Sequence, residues 1–180
     1  MHGIVFAELQ KFVVSEHGHP GWKAVADKAG MAHKVYLSAG QYPDSEITSL
    51  VTAASAITGQ EPFQIVEAFG EFIVPSLLKM YGHLLKPHWK SLDVIEHTEG
   101  TVHTVVRASD KDALPPKLRT RRAAPDTVIL VYDSPRKMCA LAMGIGKGLA
   151  RHFKEMLSIN QTQCMHKGAA FCEIAYQKKG

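Results

Sequence analysis

The sequence predicts an α+β fold in one domain spanning residues 1–180, with a helical front end and a mixed sheet-and-helix second half. Three observations predict it. Apolar residues recur at helical spacing through the first half, Thr127 to Tyr132 is a short β-branched run, and no repeat or low-complexity linker divides the chain.

The elements follow in order. Val5, Leu9, Phe12, Val13 and Glu16 keep helical spacing until Gly18 and Pro20, and Trp22, Val25, Ala26 and Ala29 form a shorter repeat that stops at Gly30. Asp44 is the expected N-cap of the next helix, because its carboxylate can accept first-turn amides. That helix buries Ile47, Leu50, Val51, Ala54 and Ile57 and ends at Gly59. Pro62 suits a first helical position, and Ile65, Val66, Phe69, Phe72 and Ile73 make a wide stripe that Pro75 should break or kink. Leu92, Ile95, Glu99, Val102 and Val106 predict a helix over roughly residues 90–107, a pattern that Gly100 weakens. Pro115-Pro116 cannot lie inside a helix. Thr127–Tyr132 reads as a buried strand, Ser134-Pro135 as an N-cap and first helical residue, and Met138 to Phe153 as the helix that follows. Phe171 to Gln177 alternates like a closing strand.

Composition narrows the function classes. With 180 residues, 46% hydrophobic and 21% charged, the chain can bury a core of ordinary globular type. No apolar run approaches the roughly 20 residues of a membrane helix. The start lacks the basic n-region and cleavage site of a secretory signal, so the expected location is cytoplasmic. Three cysteines are an odd number and argue for free or metal-bound thiols over a disulfide framework. The net charge of +4 is scattered except at Lys117–Arg122, which reads as a solvated loop, and nothing aromatic is interleaved for nucleic-acid stacking.

Two constellations carry chemistry. His103 adjoins the apolar stripe and shares a face with Glu96 and Glu99; by spacing alone such a histidine is more often a half-buried hydrogen-bonder than a ligand. Tyr132-Asp133-Ser134-Pro135-Arg136 places a phenol, a hydroxyl and a guanidinium at a strand–helix corner, an arrangement suited to carboxylates. Gly144-Ile145-Gly146-Lys147-Gly148 mimics a phosphate loop without the required spacing.

The ordered set of motifs resembles the haem nitric oxide/oxygen-binding (H-NOX) domain family, the sensor module shared with soluble guanylate cyclase. Met1-x-Gly3-Ile4-Val5-x3-Leu9-x2-Phe12-Val13 is similar to that family's first helix, and Tyr42-x-Asp44-Ser45-Glu46, Ile57-Thr58-Gly59 and Ala68-Phe69-Gly70-x-Phe72 follow in order. Tyr132, Ser134 and Arg136 match its Tyr-x-Ser-x-Arg propionate signature. The resemblance implies haem b buried between the helical half and a small antiparallel sheet. It implies His103 as the iron ligand, in register with Pro116, which presses on the porphyrin; His97 would need a gap. Leu141, Leu9 and Val74 are implied as an apolar distal wall without a donor for O₂, hence a sensor of NO and CO that is not an enzyme. The small residues of Gly144–Gly148 are implied to approach the macrocycle. Gas binding would release His103 and shift the helices, and the regulated partner would be a histidine kinase or a cyclic-di-GMP enzyme, with no nucleic acid or membrane involved.

Cys139, Cys164, His166 and Cys172 form the other set. Spacing alone fits three buried free thiols as well as a metal site. Some bacterial members of the family carry a similar Cys-Met-His-x-Gly-Ala-x2-Cys tail, which implies structural Zn²⁺ and a response to thiol oxidation. Gln161 stands where such members can carry another histidine, leaving His166, or less well His152, as fourth ligand. Two rivals follow: a zinc/thiol redox sensor in which haem is secondary or absent, and a peroxidase-like haem enzyme, which would need a distal acid–base residue.

Overall fold

The computed structural model describes every residue except Asp110 and Asp112. Its first half is helical: α1 (Gly3–Lys28), α2 (Asp44–Thr58) and α3 (Pro62–Tyr81). Gly18 bends α1 by adopting φ 69° and ψ 177°, which glycine takes at little cost, and Pro20 opens the second arm. α2 ends on Gly59 at φ 73°. Asp44 does not cap α2. Pro43 holds the cap position, and the Asp44 carboxylate turns instead to the Met1 amino group at 3.0 Å and Arg136 Nε at 2.7 Å. Nor does Pro75 break α3, which runs on to Tyr81; the ring is exposed while Ile73 and Val74 beside it are buried, so packing holds the helix across the missing hydrogen bond.

The predicted helix at residues 90–107 is three pieces: α4 (Ser91–His97), a π-helical turn over Glu99–His103, and α5 (Thr104–Ser109). The His103 amide bonds the Thr98 carbonyl at 3.0 Å, five residues back, so a π turn stands where the spacing predicted continuous helix.

Four antiparallel strands follow: β1 (Lys117–Ala124), β2 (Thr127–Asp133), β3 (Leu157–Gln163) and β4 (Cys172–Lys178), in the order β1-β2-β4-β3. The basic stretch Lys117–Arg122 is therefore an edge strand and not a loop. Its charges serve the fold: Arg122 pairs with Asp93 at 2.7 Å and Glu96 at 2.5 Å and holds α4 to the sheet. α6 (Cys139–Phe153) starts later than Ser134-Pro135 suggests, because Lys137 at φ 51° breaks the helical path.

Two apolar cores result. One joins α1, α2 and α3 through Phe6, Leu9, Leu50 and Phe69. The other joins the inner face of the sheet to α4 and α6 through Val128, Leu130, Ile174 and Tyr176. Each fully buried large side chain contributes about 1.5–3 kcal/mol. α3 and α6 cross where side chains vanish: a β-carbon on Gly144 would stand 1.9 Å from the Glu67 carbonyl oxygen, and one on Gly70 2.5 Å from that of Leu141. Among the described residues no helix is long and apolar enough to cross a membrane.

Candidate haem chamber and thiol cluster

Between the two cores lies a predominantly apolar chamber of about 300 Å³. α1 gives it Ile4 and Val5, α3 gives Val74 and Leu77, and α6 gives Leu141 and Ile145. Val102, His103, Pro116 and Leu118 also line it, and Tyr132 and Arg136 stand among the lining residues with Met1 and His2.

His103 is the imidazole of this lining. The π turn carries it, with the Glu99 carboxylate 2.9 Å from its Nδ1. An ionised carboxylate there needs a proton on Nδ1, which leaves Nε2 as the ring's lone-pair donor. Burial lowers the imidazole's pKa, Glu99 and the Pro116 carbonyl oppose that, and the Arg107 charge adds to it; the balance is below the ordinary value. At neutral pH the ring is thus neutral, the form that ligates metal. Burial also works against ionisation of Glu99, but hydrogen bonds from His103, Arg107 and the Leu118 amide outweigh it and hold its carboxyl below the usual range. Glu96, on the same predicted face, is engaged elsewhere, with Arg122 and the Thr120 hydroxyl. His97 lies outside the chamber lining and stacks on Trp89 with ring centroids 4.7 Å apart.

The Tyr132 hydroxyl accepts from the Met138 amide at 3.2 Å, and burial raises its pKa, so it stays a neutral donor. Arg136 gives Nε to Asp44 and Nη1 to the Leu114 carbonyl, which leaves Nη2 for a carboxylate in the chamber. Ser134 does not line the chamber. It is buried, and its Oγ accepts the Arg136 amide at 3.3 Å, bracing the turn instead of facing the space. Leu9 is likewise misplaced by the sequence. It is 2% exposed within the helical core, and Val5, one turn earlier, takes the position on the wall. Gly144 and Gly148 approach α3, and Gly146 approaches the Tyr176 ring, so these small residues serve helix and sheet packing. Tyr81 was not foreseen on the wall; only its place three and four residues past Leu78 and Leu77 on the α3 stripe hinted at it.

Cys139, Cys164 and Cys172 converge from α6, the residue after β3, and β4, with their sulfurs all within 4.8 Å of one another. All three are buried. Burial and the neighbouring Cys139 and Cys164 sulfurs push the Cys172 thiol up. The structure does not bring His166 to them: it is exposed, with Nε2 2.7 Å from the Lys137 carbonyl. His152 packs edge-on against Phe153. Gln161 is half-buried on β3, and among the described residues its Nε2 has no hydrogen-bond partner.

An imidazole, aliphatic side chains, a phenol and a guanidinium on the lining of one apolar chamber suit a metallomacrocycle with carboxylate tails, as in a haem protein. The family model described as Haem-NO-binding matches residues 2–161, and the chain belongs to that family, whose members are haem-based gas sensors. Its fold is that of H-NOX proteins. A crystal structure of an H-NOX protein from S. oneidensis in the Fe(II)NO ligation state aligns over 100% of both chains at 26% identity with a TM-score of 0.92. The NMR structure of the SO2144 H-NOX domain from Shewanella oneidensis in the Fe(II)CO state covers 100% of this chain and 99% of its own, at 26% identity and TM-score 0.88. The Fe(II) unliganded H-NOX protein from K. algicida shares the fold at 22% identity and TM-score 0.87, covering 100% of this chain and 97% of its own. No curated protein matches the chain in sequence.

Proposed function

We propose that the chain is a haem-based sensor of nitric oxide, one domain over residues 1–180, that takes NO and CO, rejects O₂, and regulates a histidine kinase or a cyclic-di-GMP enzyme. The observation that carries this reading is that the His103 imidazole lines the same apolar chamber as the aliphatic side chains of Val74 and Leu141 and the donors of Tyr132 and Arg136. Haem bound there would be held by His103, Tyr132 and Arg136 and would supply an iron that binds diatomic gases.

The chain's own groups do the rest. His103 offers Nε2 from a π turn, a segment with poorer hydrogen bonding than regular helix and therefore easier to remodel. Tyr132 and Arg136 receive the carboxylates and fix the orientation of the ring system. Val74 and Leu141 line the chamber with aliphatic side chains and would offer bound O₂ no hydrogen-bond donor. Tyr81 is seven residues beyond Val74, about 10 Å along the helix, and so stands far from it. Were His103 to leave its place, the π turn and α5 that carry it would be free to rearrange, a shift of population that a partner would read.

The test is the absorption spectrum of reduced protein under argon, then with O₂, CO and NO added separately. Bands that respond to NO and CO and ignore O₂ support the reading. A stable O₂ complex overturns the selectivity, and failure to take up haem overturns the whole. His103→Gly should abolish the argon spectrum of the parent, and Leu141→Tyr should create O₂ binding.

The convergence of three sulfurs favours a second input, zinc held by thiolates and lost on oxidation. Cys139, Cys164 and Cys172, their sulfurs within 4.8 Å of one another, are the residues that would hold the ion as thiolates. Zinc would supply the positive charge that lets three adjacent buried thiols ionise. The cluster offers three of four ligands, and among the described residues no fourth donor joins it. Metal analysis decides: one zinc per chain, released in Cys172→Ser with the haem spectrum intact, is expected. A metal-free parent protein overturns it.

A further inference from the structure

We propose that Glu99 is a positioning residue that sets the strength of the bond between His103 and the haem iron and ties that bond to the edge of the sheet, an inference that rests on the haem-sensor reading above. Glu99 opens the π turn that His103 closes. Its Oε2 is 2.9 Å from His103 Nδ1 and also accepts the Leu118 amide of β1 at 3.2 Å, while Oε1 accepts from the Arg107 guanidinium of α5. One carboxylate therefore joins the imidazole, α5 and β1.

The chemistry has a definite sign. A carboxylate that accepts the distant ring proton makes the imidazole a stronger donor to metal, and loss of such a partner costs about 10–100-fold in metal affinity or activity. The two other donors on Glu99 draw the same charge away from the ring. Removing Glu99's charge must therefore weaken the iron–histidine bond, and removing Arg107 must strengthen it. No simple loss of packing produces opposite effects at two partners of one contact. The geometry also explains why the charge is shared. An unshared carboxylate would hold His103 too firmly for release, whereas this one rests on two elements that can take up its oxygens when the ring departs.

The experiment is resonance Raman spectroscopy of the reduced, gas-free, haem-loaded protein and its Glu99→Gln, Glu99→Asp and Arg107→Gln variants, reading the iron–histidine stretch. Glu99→Gln should lower it and speed NO-driven release of His103 by about 10-fold or more. Glu99→Asp should restore part of the shift, and Arg107→Gln should raise it above the parent. An unchanged stretch in haem-loaded Glu99→Gln, or shifts of the same sign in Glu99→Gln and Arg107→Gln, overturns the proposal. Should Glu99→Gln fail to fold, an unraised stretch in Arg107→Gln overturns it alone. A parent protein with no haem or no iron–histidine stretch overturns the sensor reading itself, so the two failures are told apart.

Discussion

Replacing Gly144 by alanine should destabilise the protein by about 2 kcal/mol, although alanine is the better helix former. The gain in helix propensity is about 1 kcal/mol. Against it stands the crossing of α3 and α6. The new β-carbon would lie 1.9 Å from the Glu67 carbonyl oxygen and 2.9 Å from Gly70 Cα. Both are backbone atoms, so no rotamer change relieves them. To restore even 3.0 Å the helices must part by about 1.1 Å, a displacement the whole α3–α6 contact must absorb. Overpacking a well-filled contact costs about 1–3 kcal/mol; a clash wholly against backbone belongs at or above the top of that range, which leaves about 2 kcal/mol net. At 2–4 °C per kcal/mol for a chain of this size, Tm should fall by about 4–8 °C. Urea denaturation followed by circular dichroism measures the difference at constant slope. Gly82→Ala is the control: Gly82 has helical φ −60° and nothing within 4 Å of a β-carbon, so it should be neutral or slightly stabilising. A Gly144→Ala protein as stable as the parent would refute the reasoning.

Further outcomes are expected. Ser76→Ala removes the hydroxyl that donates to the buried Glu8 carboxylate at 2.8 Å and should cost about 1–3 kcal/mol, read by the same unfolding curves, with Lys11 alone left on the carboxylate. Arg122→Ala cuts α4 from its double anchor on β1 and should speed hydrogen exchange across residues 91–97 while lowering global stability by only about 1 kcal/mol, since the pairs are partly solvated; unchanged exchange counts against the anchor. Acid should destabilise the fold through Asp44 and Glu155. For both, burial opposes ionisation, but partners outweigh it and lower the folded pKa: the Met1 amino group and Arg136 for Asp44, Lys178 and Ser91 for Glu155. A lowered folded pKa gives stability present above the unfolded value and lost as pH falls toward the folded one. Tm should therefore drop as pH falls below about 4–5, and Lys178→Met should shrink that drop.

The helical half was legible because its signals are redundant. Gly18, Gly59 and Pro62 punctuate it, and the α2 and α3 stripes bury Ile47, Leu50, Val51, Ala54, Ile65, Phe69 and Ile73, whereas Ile57 in the last turn of α2 is 45% exposed, contrary to its place in the period. The two inner strands were legible for the same reason: β2 and β4 alternate buried Val128, Leu130, Ile174 and Tyr176 with less buried neighbours. The outer strands were not. β1 reads Lys-Leu-Arg-Thr-Arg-Arg and β3 Ser-Ile-Asn-Gln-Thr-Gln, because an edge strand keeps one side toward solvent and polar side chains there discourage further pairing. The start of α6 was misplaced because Ser134-Pro135 looks like a cap, and nothing local announces that Lys137 takes a positive φ. At the chamber, His103, Pro116, Tyr132, Arg136, Val74 and Leu141 are all on the lining. Leu9 and Val5 share a face of α1 one turn apart, and only how far along that helix the chamber reaches, a tertiary matter, decides which of them lines it. The absence of His166 from the thiol cluster is equally tertiary, set by a 3₁₀ turn over Met165–Lys167 that sends its ring to the Lys137 carbonyl.

The chamber also makes the protein's persistence depend on supply. A fold whose two cores are separated by about 300 Å³ of apolar space forgoes there the packing that stabilises other interiors. Whatever fills that space selects the folded chain over the unfolded one, adding about 2.7 kcal/mol when its free concentration is 100 times its Kd. Chains that meet no occupant stay the more vulnerable to proteolysis. The quantity of receptor a cell maintains would then rise and fall with its stock of the ligand that completes it, before any signal has arrived.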